Sequence, residues 1–536
     1  MPVRIGLIGS FLLAASLAVA AQTAAPDTPT FTVSDYQVTG SNPLSVESTR
    51  EILKQYTGEH TGLEGLQAAA DALEQAMRAK GYSFHRVVLP PQTLRNGVVQ
   101  LRVVEFPLDK IRVEGNRYFN DENIRNSLPG LKPGISPNLQ RLQRGLRLAN
   151  EHPARQLTVG FRESETAQAV DAVIKVQDHS PHTFFSALQN TGSEETGDYR
   201  LSLGYQYSNL FNRDHAVSIV YTTAPDETDA VSQVGVAYRL PVYSISSVFT
   251  LAYSDSDIES GLIDTGTTDT GDSTRFFNIT GKGTAASLGY SYALPGTGRY
   301  QNDLKVSYED KLFENNLFLS GDPVNPCTNK VRTNPFGVSY KGVLQGNNRV
   351  FGFSLGFFAN QAGGSYSGDE YYECARPGVE ASPDWSAVRY ALNFNQRFGG
   401  DWMFALRFSG QSADGPLVPG EQFGLGGANS VRGYEERSIL GDDGWQTNLE
   451  VWSPAFGGNS MHALVFYDVG HAESKVAGTD EPLTYDPAGA GIGFRWVWNN
   501  QLSLRTDVAS TLKELDNFEN VKKGDTTLHF SIYYRF

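Results

Sequence analysis

Residues 199–207 read YRLSLGYQY, and the alternation within this stretch decides the fold. In an extended chain Tyr199, Leu201, Leu203, Tyr205 and Tyr207 share one face, while Arg200, Ser202, Gly204 and Gln206 share the other. The pattern returns at Phe351, Phe353, Leu355 and Phe357, and again at Leu528, Phe530, Ile532, Tyr534 and Phe536. A soluble antiparallel sandwich also alternates, so the connections have to discriminate. Short turns at 210–214, 346–348, 399–401 and 499–500 alternate with longer polar segments at 255–274 and 361–386, as in an outer-membrane barrel. Aromatic residues crowd the strand ends in FRWVWNN (494–500) and SIYYRF (531–536), where tyrosine and tryptophan suit the headgroup region. Candidate strands from Thr183 onward number roughly sixteen, an even count that lets a single chain close and leave no edge. The expected fold over 182–536 is a 16-stranded antiparallel transmembrane β-barrel.

Composition agrees. The 536 residues are too many for one soluble core. Against 44 lysines and arginines stand 59 acidic residues, a net charge of −15 that argues against a nucleic-acid-binding surface. The 54 glycines, 25 tyrosines and 30 phenylalanines suit aromatic-girdled β-structure. At the start, an apolar run from Ile5 to Leu17 precedes Ala18-Val19-Ala20-Ala21, which reads as a cleaved signal peptide over 1–21. No later window holds the roughly 18 successive apolar residues of a spanning helix.

Before the barrel the pattern is α+β and occurs twice. A strand over 31–38 ends at Gly40-Ser41-Asn42-Pro43, and helical patterns cover 45–56 and 65–80, the second with Leu66, Ala69, Ala70, Leu73, Ala76 and Met77 on one face. Strands over 83–89 and 98–104 follow, with a hairpin signal at Asn96-Gly97. The order then repeats as strand 110–114, helices 121–128 and 138–150, and strands 155–162 and 170–177. The period of about 75 residues fits small independent domains. VEGNRYFNDENI (113–124) and VVLPPQTLRNGVVQLRVVEF (87–106) resemble POTRA domains of the transporters of two-partner secretion, the haemolysin secretion/activation proteins ShlB/FhaC/HecB. The expected organisation is signal peptide 1–21, a short segment 22–30, POTRA domain 1 over 31–106, POTRA domain 2 over 107–181, and the barrel over 182–536.

With the POTRA domains in the periplasm, the sixth outward loop, 414–444, is long and contains GLGGANSVRGYEERSILGDDGW (424–445). Val431-Arg432-Gly433-Tyr434 is similar to the tetrad that the POTRA-bearing barrel superfamily carries there. The family pairs that arginine with the aspartate of an F-x-D-x-G strand, matched here by Phe466, Asp468 and Gly470. A guanidinium inside a barrel needs a partner, and a carboxylate can take two parallel hydrogen bonds from it. Glu435, Glu436 and Arg437 read as ordinary solvated charges.

Other signals carry no chemistry. Residues 352–356 match G-x-S-x-G, yet alternation runs straight through Ser354 where a nucleophile elbow needs a strand-to-helix turn. Asp255, Asp257, Asp264, Asp269 and Asp272 lack the spacing of a calcium loop. The nine histidines show no metal-binding pair, so no metal, cofactor or catalytic residue is expected, and the chain is not read as an enzyme. Cys327 and Cys374 fall in the fourth and fifth outer loops, where an oxidising compartment and an even count favour a disulfide.

The resemblance implies an outer-membrane transporter whose POTRA domains bind an unfolded secreted exoprotein, large and β-helical, and whose barrel passes it outward. Inward positions Arg200, Ser202, Thr527, His529 and Ser531 are polar or small, as a conduit requires. The terminal strand ending in Phe536 resembles the signal read by the barrel-assembly machinery, a second implied partner alongside outer-membrane lipid. The alternatives are an insertase for other barrels, which shares both motifs, and a diffusion porin, which needs no POTRA domains. Members of the family often carry a plug helix before the first POTRA domain. Residues 22–30, with two prolines, are not expected to form one, which leaves the folded-in sixth loop as the candidate closure or places the chain in a short-armed branch.

Overall fold

The computed structural model describes residues 29–192, 196–256, 261–263, 277–279, 282–296, 298–314, 330–458, 460–475, 481–499, 501–515 and 521–536. The signal peptide, residues 22–28 and Cys327 lie outside them. So do Asp257, Asp264, Asp269 and Asp272. The chain divides after Glu105 into two compact units.

The first unit has the α+β order expected of the first POTRA domain. Helix α1, Val46–Lys54, starts where the Ser45 side chain accepts from the Ser48 amide and satisfies an otherwise unpaired donor. Helix α2, Glu64–Ala79, buries Leu66, Ala69, Ala70, Leu73 and Met77. These are one face at 3.6 residues per turn, and they pack on Val99, Leu101 and Val103 of a three-stranded sheet. In that sheet Val98–Glu105 lies between Asp35–Gly40, parallel to it, and His85–Val88, antiparallel. The single strand expected over 31–38 is two: Thr30–Val33 leaves the sheet and pairs with Gly58–Thr61, a strand too short and polar to be read from its pattern.

The second unit begins with the repeat of that domain. Leu108–Glu114 runs parallel to Val170–Asp178, which also pairs antiparallel with Arg155–Glu163. Helices α3, Asp121–Asn126, and α4, Leu139–Asn150, are capped by the side chains of Asn120 and Asn138. Both domains require a glycine at or just after the end of the strand that leads into the first helix. Gly40 and Gly115 have φ of +85° and +92°, and a Cβ on either would sit 2.2 or 2.5 Å from the carbonyl oxygens of Val103 and Val176.

The barrel strands are β1 (His182–Gln189), β2 (Arg200–Leu210), β3 (His215–Thr223), β4 (Ser232–Val242), β5 (Ser247–Ser256), β6 (Gly283–Ala293), β7 (Tyr300–Glu314) and β8 (Pro335–Gln345). They continue as β9 (Arg349–Asn360), β10 (Ser386–Phe398), β11 (Trp402–Ala413), β12 (Asp443–Trp452), β13 (Met461–Ser474), β14 (Ala488–Trp498), β15 (Leu502–Thr511) and β16 (Thr526–Arg535). All neighbours are antiparallel, and β16 pairs with β1 to close the sheet. Closure satisfies the backbone within the membrane, where no water can. The ladders of β8 and β14 break at Asn334-Pro335 and Asp486-Pro487, then resume in the same register as Lys330–Thr333 and Leu483–Tyr485. Proline has no amide hydrogen to contribute at either break.

Alternation sorts the side chains as the sequence requires. Leu203, Leu355 and Leu528 stand outward with half or more of their surface uncovered by protein, while Arg200, Gln411, Glu450 and Asp507 are buried inside. Ser354 lies mid-strand in β9, away from any turn. Among the described residues one α-helix interrupts the β pattern of the barrel: α5, Asp369–Ala375, in the fifth outer loop, with Asp369 and Glu370 at its positive end and Tyr372 and Ala375 buried three residues apart.

Candidate functional site: the sixth loop inside the barrel

The sixth connection spans 414–442, two residues shorter than the expected 414–444 because Asp443 and Gly444 already belong to β12. Within it Phe423–Leu425 and Ile439–Gly441 form a short hairpin that carries the tetrad at its tip. Arg432 has no exposed surface. Its Nε and Nη2 donate to the two oxygens of Asp468 at 2.6 and 2.8 Å, and its backbone amide donates to the same carboxylate at 3.2 Å. Glu450 lies 2.9 Å from Nη2 and Asp507 3.5 Å from Nη1. The guanidinium carbon sits 3.5 Å from the centroid of the Phe466 ring, so the aromatic residue of F-x-D-x-G forms a floor beneath the cation.

Two elements put these groups in register. In β13, Phe466, Asp468 and Gly470 alternate inward, and Asn448 stands opposite Asp468 on β12, donating both to its carboxylate and to the Ser430 carbonyl. On β14, Gly489 is required by close approach, since a Cβ there would lie 2.0 Å from the Arg432 carbonyl oxygen. The Gly433 carbonyl accepts from Thr511 at 2.9 Å, and its amide donates to His529 at 3.2 Å. Tyr434 is buried, donates to the Lys513 carbonyl at 2.7 Å and accepts from the Ala488 amide at 3.2 Å. Val431 packs with Leu425, Ile439, Ala472 and Leu515, and a side chain at Gly470 would collide with Leu425. The tip is thus held to β12, β13, β14, β15 and β16.

Around this pair the charges form a network. Glu450 also takes Arg407 at 3.0 Å and the Trp452 indole at 2.8 Å. Asp507 takes both terminal nitrogens of Arg495 at 2.8 and 3.0 Å. An arginine removed from water is costly unless compensated, and three carboxylates with interleaved guanidinium groups compensate it. Glu450 and Asp507 were missed from sequence; a lone acidic residue at an inward position, as in NLEVW and LRTDVA, is the signal that could have marked them. Arg437, read as a solvated charge, is half-buried and donates to the Gln422 carbonyl at 3.2 Å, because the hairpin folds back over it. Glu435 is exposed.

The remaining candidates lie elsewhere. Cys374, in α5, is disulfide-bonded, and the chain has one other cysteine, Cys327. Phe536 exchanges two backbone hydrogen bonds with Phe184 of β1 at 2.9 and 3.0 Å. Among the described residues no cluster of side chains could hold a metal ion.

A family model described as haemolysin secretion/activation protein ShlB/FhaC/HecB matches residues 169–496, and one for the ShlB-type POTRA domain matches 31–105. The chain belongs to this family. Its relatives include the heme/hemopexin transporter protein HuxB of Haemophilus influenzae strain 86-028NP, 21% identical over 92% of this chain and 85% of that one. The outer membrane transporter CdiB of Escherichia coli O6:K15:H31 is 24% identical over 79% of this chain and 69% of that one. Among solved structures, CdiB from Escherichia coli superposes with a TM-score of 0.74 at 18% identity, covering 97% of this chain and 93% of the other. CdiB from Acinetobacter baumannii gives 0.71 at 19%, covering 96% and 91%. The transporter therefore sits in the outer membrane with its POTRA domains in the periplasm, and it is a member of a two-partner secretion family.

Proposed function

We propose that the POTRA domains of this transporter capture one unfolded exoprotein in the periplasm, and that the barrel conducts it outward past the sixth loop. The observation that carries this reading is the Arg432 network, which together with the apolar cluster around Val431 holds a long loop inside the lumen. Capture is supported by strand edges. Arg155–Glu163 and Asp35–Gly40 each pair on one side only among the described residues, and an extended client can add a strand to such an edge. No nucleotide is available in the periplasm, so folding of the client outside supplies the bias for export. Assembly of the barrel uses the terminal strand ending in Phe536, and its lipid partners face the outward aromatic residues.

The test is export by the chain lacking 31–105, a unit with its own core. Loss of one exported protein with a normally assembled barrel supports capture. Unchanged export overturns it, and loss of many unrelated outer-membrane proteins would instead favour an insertase.

A further inference from the structure

The tip of the sixth loop is fixed at Arg432, but a second charged group on the same loop, a carboxylate, is buried almost as deeply. Glu421 lies on the limb rising from β11 and is 1% exposed. Its Oε1 accepts from Lys311 of β7 at 2.9 Å and from Thr333 at 2.7 Å, and its Oε2 accepts from Arg389 of β10 at 3.0 Å. The Glu421 carbonyl takes the side-chain amide of Gln411 at 3.1 Å. The limb is pressed flat here, since a Cβ on Gly420 would lie 2.4 Å from the Phe313 ring.

These contacts lie on a different part of the wall from those of Arg432. The loop starts at β11 and ends at β12, yet Glu421 reaches back to β7 while the tip reaches forward to β15 and β16. Held at both points, it forms a chord across the lumen. Beside the chord is a cavity of about 410 Å³, walled on the far side by Ala252, Ser254, Ala285 and Ser287 of β5 and β6. The small residues leave space there, and Glu421 lines the cavity from the loop side.

We propose that Glu421 is a second anchor of the sixth loop, a positioning residue that sets the width of the free channel between the chord and the β5–β6 wall. The wall cations keep other partners when it is removed: Lys311 has Glu309 at 2.7 Å, and Arg389 has Gln411 at 2.8 Å. Loss of the carboxylate therefore loosens the limb at this point without orphaning the barrel. This inference rests on the reading that the folded-in loop narrows the pore.

The experiment is single-channel conductance of the full-length transporter in planar bilayers, with heat-modifiable gel mobility to establish that each barrel is folded. Glu421→Gln is expected to raise mean conductance roughly twofold or more, because a buried ion pair broken on one side no longer holds its geometry. Lys311→Gln should raise it in the same direction but less, because Thr333 and Arg389 still hold the carboxylate, and the double variant should not exceed Glu421→Gln. Conductance of a folded Glu421→Gln barrel equal to the parent, or fully additive effects, would overturn the assignment. A Glu421→Gln barrel that does not fold leaves the decision to Lys311→Gln, whose unchanged conductance would also overturn it. A parent channel already wide open would defeat the underlying reading of loop closure.

Discussion

Arg155 of the second POTRA domain and Asp214 of the turn between β2 and β3 are both fully buried and meet through two hydrogen bonds, one from Nη1 to Oδ1 at 3.0 Å and one from Nη2 to Oδ2. Tyr243 donates to the same carboxylate at 2.6 Å, and the Asn123 side-chain amide donates at 2.8 Å. Further along, Arg147 of α4 donates to Asp303 at 2.7 Å and Arg239 to Glu151 at 2.8 Å. The second POTRA domain is thereby fixed to the barrel's periplasmic turns, and under the proposed capture a client on its edge would be presented at a set place. Asp214→Asn separates charge from backbone shape, because Asp214 has φ of +61° and asparagine tolerates that conformation. Leaving Arg155 buried without its anion should cost about 3–5 kcal/mol. Limited proteolysis should then cut the second POTRA domain much faster while the barrel stays folded, and parental cleavage rates would count against the docking.

His152, in the same cluster, gives this docking a pH dependence. Its pKa is lowered from 6.5 to about 4, first by burial and next by the Arg155 cation, against the opposing pull of Asp214. Hydrogen bonding matches a neutral ring: Nε2 donates to the Ser208 carbonyl at 2.6 Å, and Nδ1 accepts from the Ala154 amide at 3.2 Å. Between pH 6.5 and about 4 the unfolded chain binds a proton that the folded one refuses. Stability present above 6.5 is therefore lost progressively as pH falls toward 4, by on the order of 3 kcal/mol at most. Hydrogen exchange around α4 should accelerate over that window in the parent, and His152→Gln should flatten the profile. A flat parental profile would refute the account.

The barrel was legible because period-two alternation is local, and Tyr199 to Tyr207 shows it within nine residues. The tetrad and F-x-D-x-G were legible for the same reason: each is a short contiguous string. What escaped was assembled across the closed sheet. Glu421 finds Lys311 across 110 positions and Arg155 finds Asp214 across 59, and nothing near any of these residues marks its partner. Helix α5 escaped because seven residues in a polar loop carry too little periodicity.

Arg432 meets Asp468, Glu450 and Asp507 at once because its guanidinium is a planar fork. Arg432→Lys preserves the charge but presents one point of contact, so it tests geometry alone. Export should fall by about tenfold or more, the equivalent of losing roughly 1.4 kcal/mol from the network. Asp468→Asn should be milder in charge terms, since Glu450 and Asp507 remain. Export by Arg432→Lys at the parental level would show that charge suffices.

Loop five is tied to loop six through Arg376, whose Nη1 donates to Asp442 at 2.8 Å and to the Leu417 carbonyl at 2.7 Å. Asp442 retains the Leu417 and Lys475 amides without it, so Arg376→Ala releases loop five more than loop six. The lost charged hydrogen bonds are worth about 1.5–3 kcal/mol. The Cys374 disulfide lies two residues away and restrains the same helix. Protease added to whole cells should cut loop five in Arg376→Ala, and faster still after reduction. Equal cutting with and without the substitution would show that the disulfide alone orders the loop.

The seam between β1 and β16 separates stability from assembly. The Phe184 and Phe536 rings stack with centroids 5.3 Å apart and an interplanar angle of 11°, while the strands exchange their backbone hydrogen bonds independently of the ring. Phe536→Ala removes the stack and leaves the ladder. Such a pair is worth about 0.5–1.5 kcal/mol, too little by itself to empty the membrane of folded barrel. Thermal unfolding of purified barrel should therefore shift slightly. If Phe536 also serves as a recognition signal, the amount of heat-modifiable barrel in cells should fall severalfold. A yield that falls only in proportion to the thermal shift would reduce Phe536 to a packing residue.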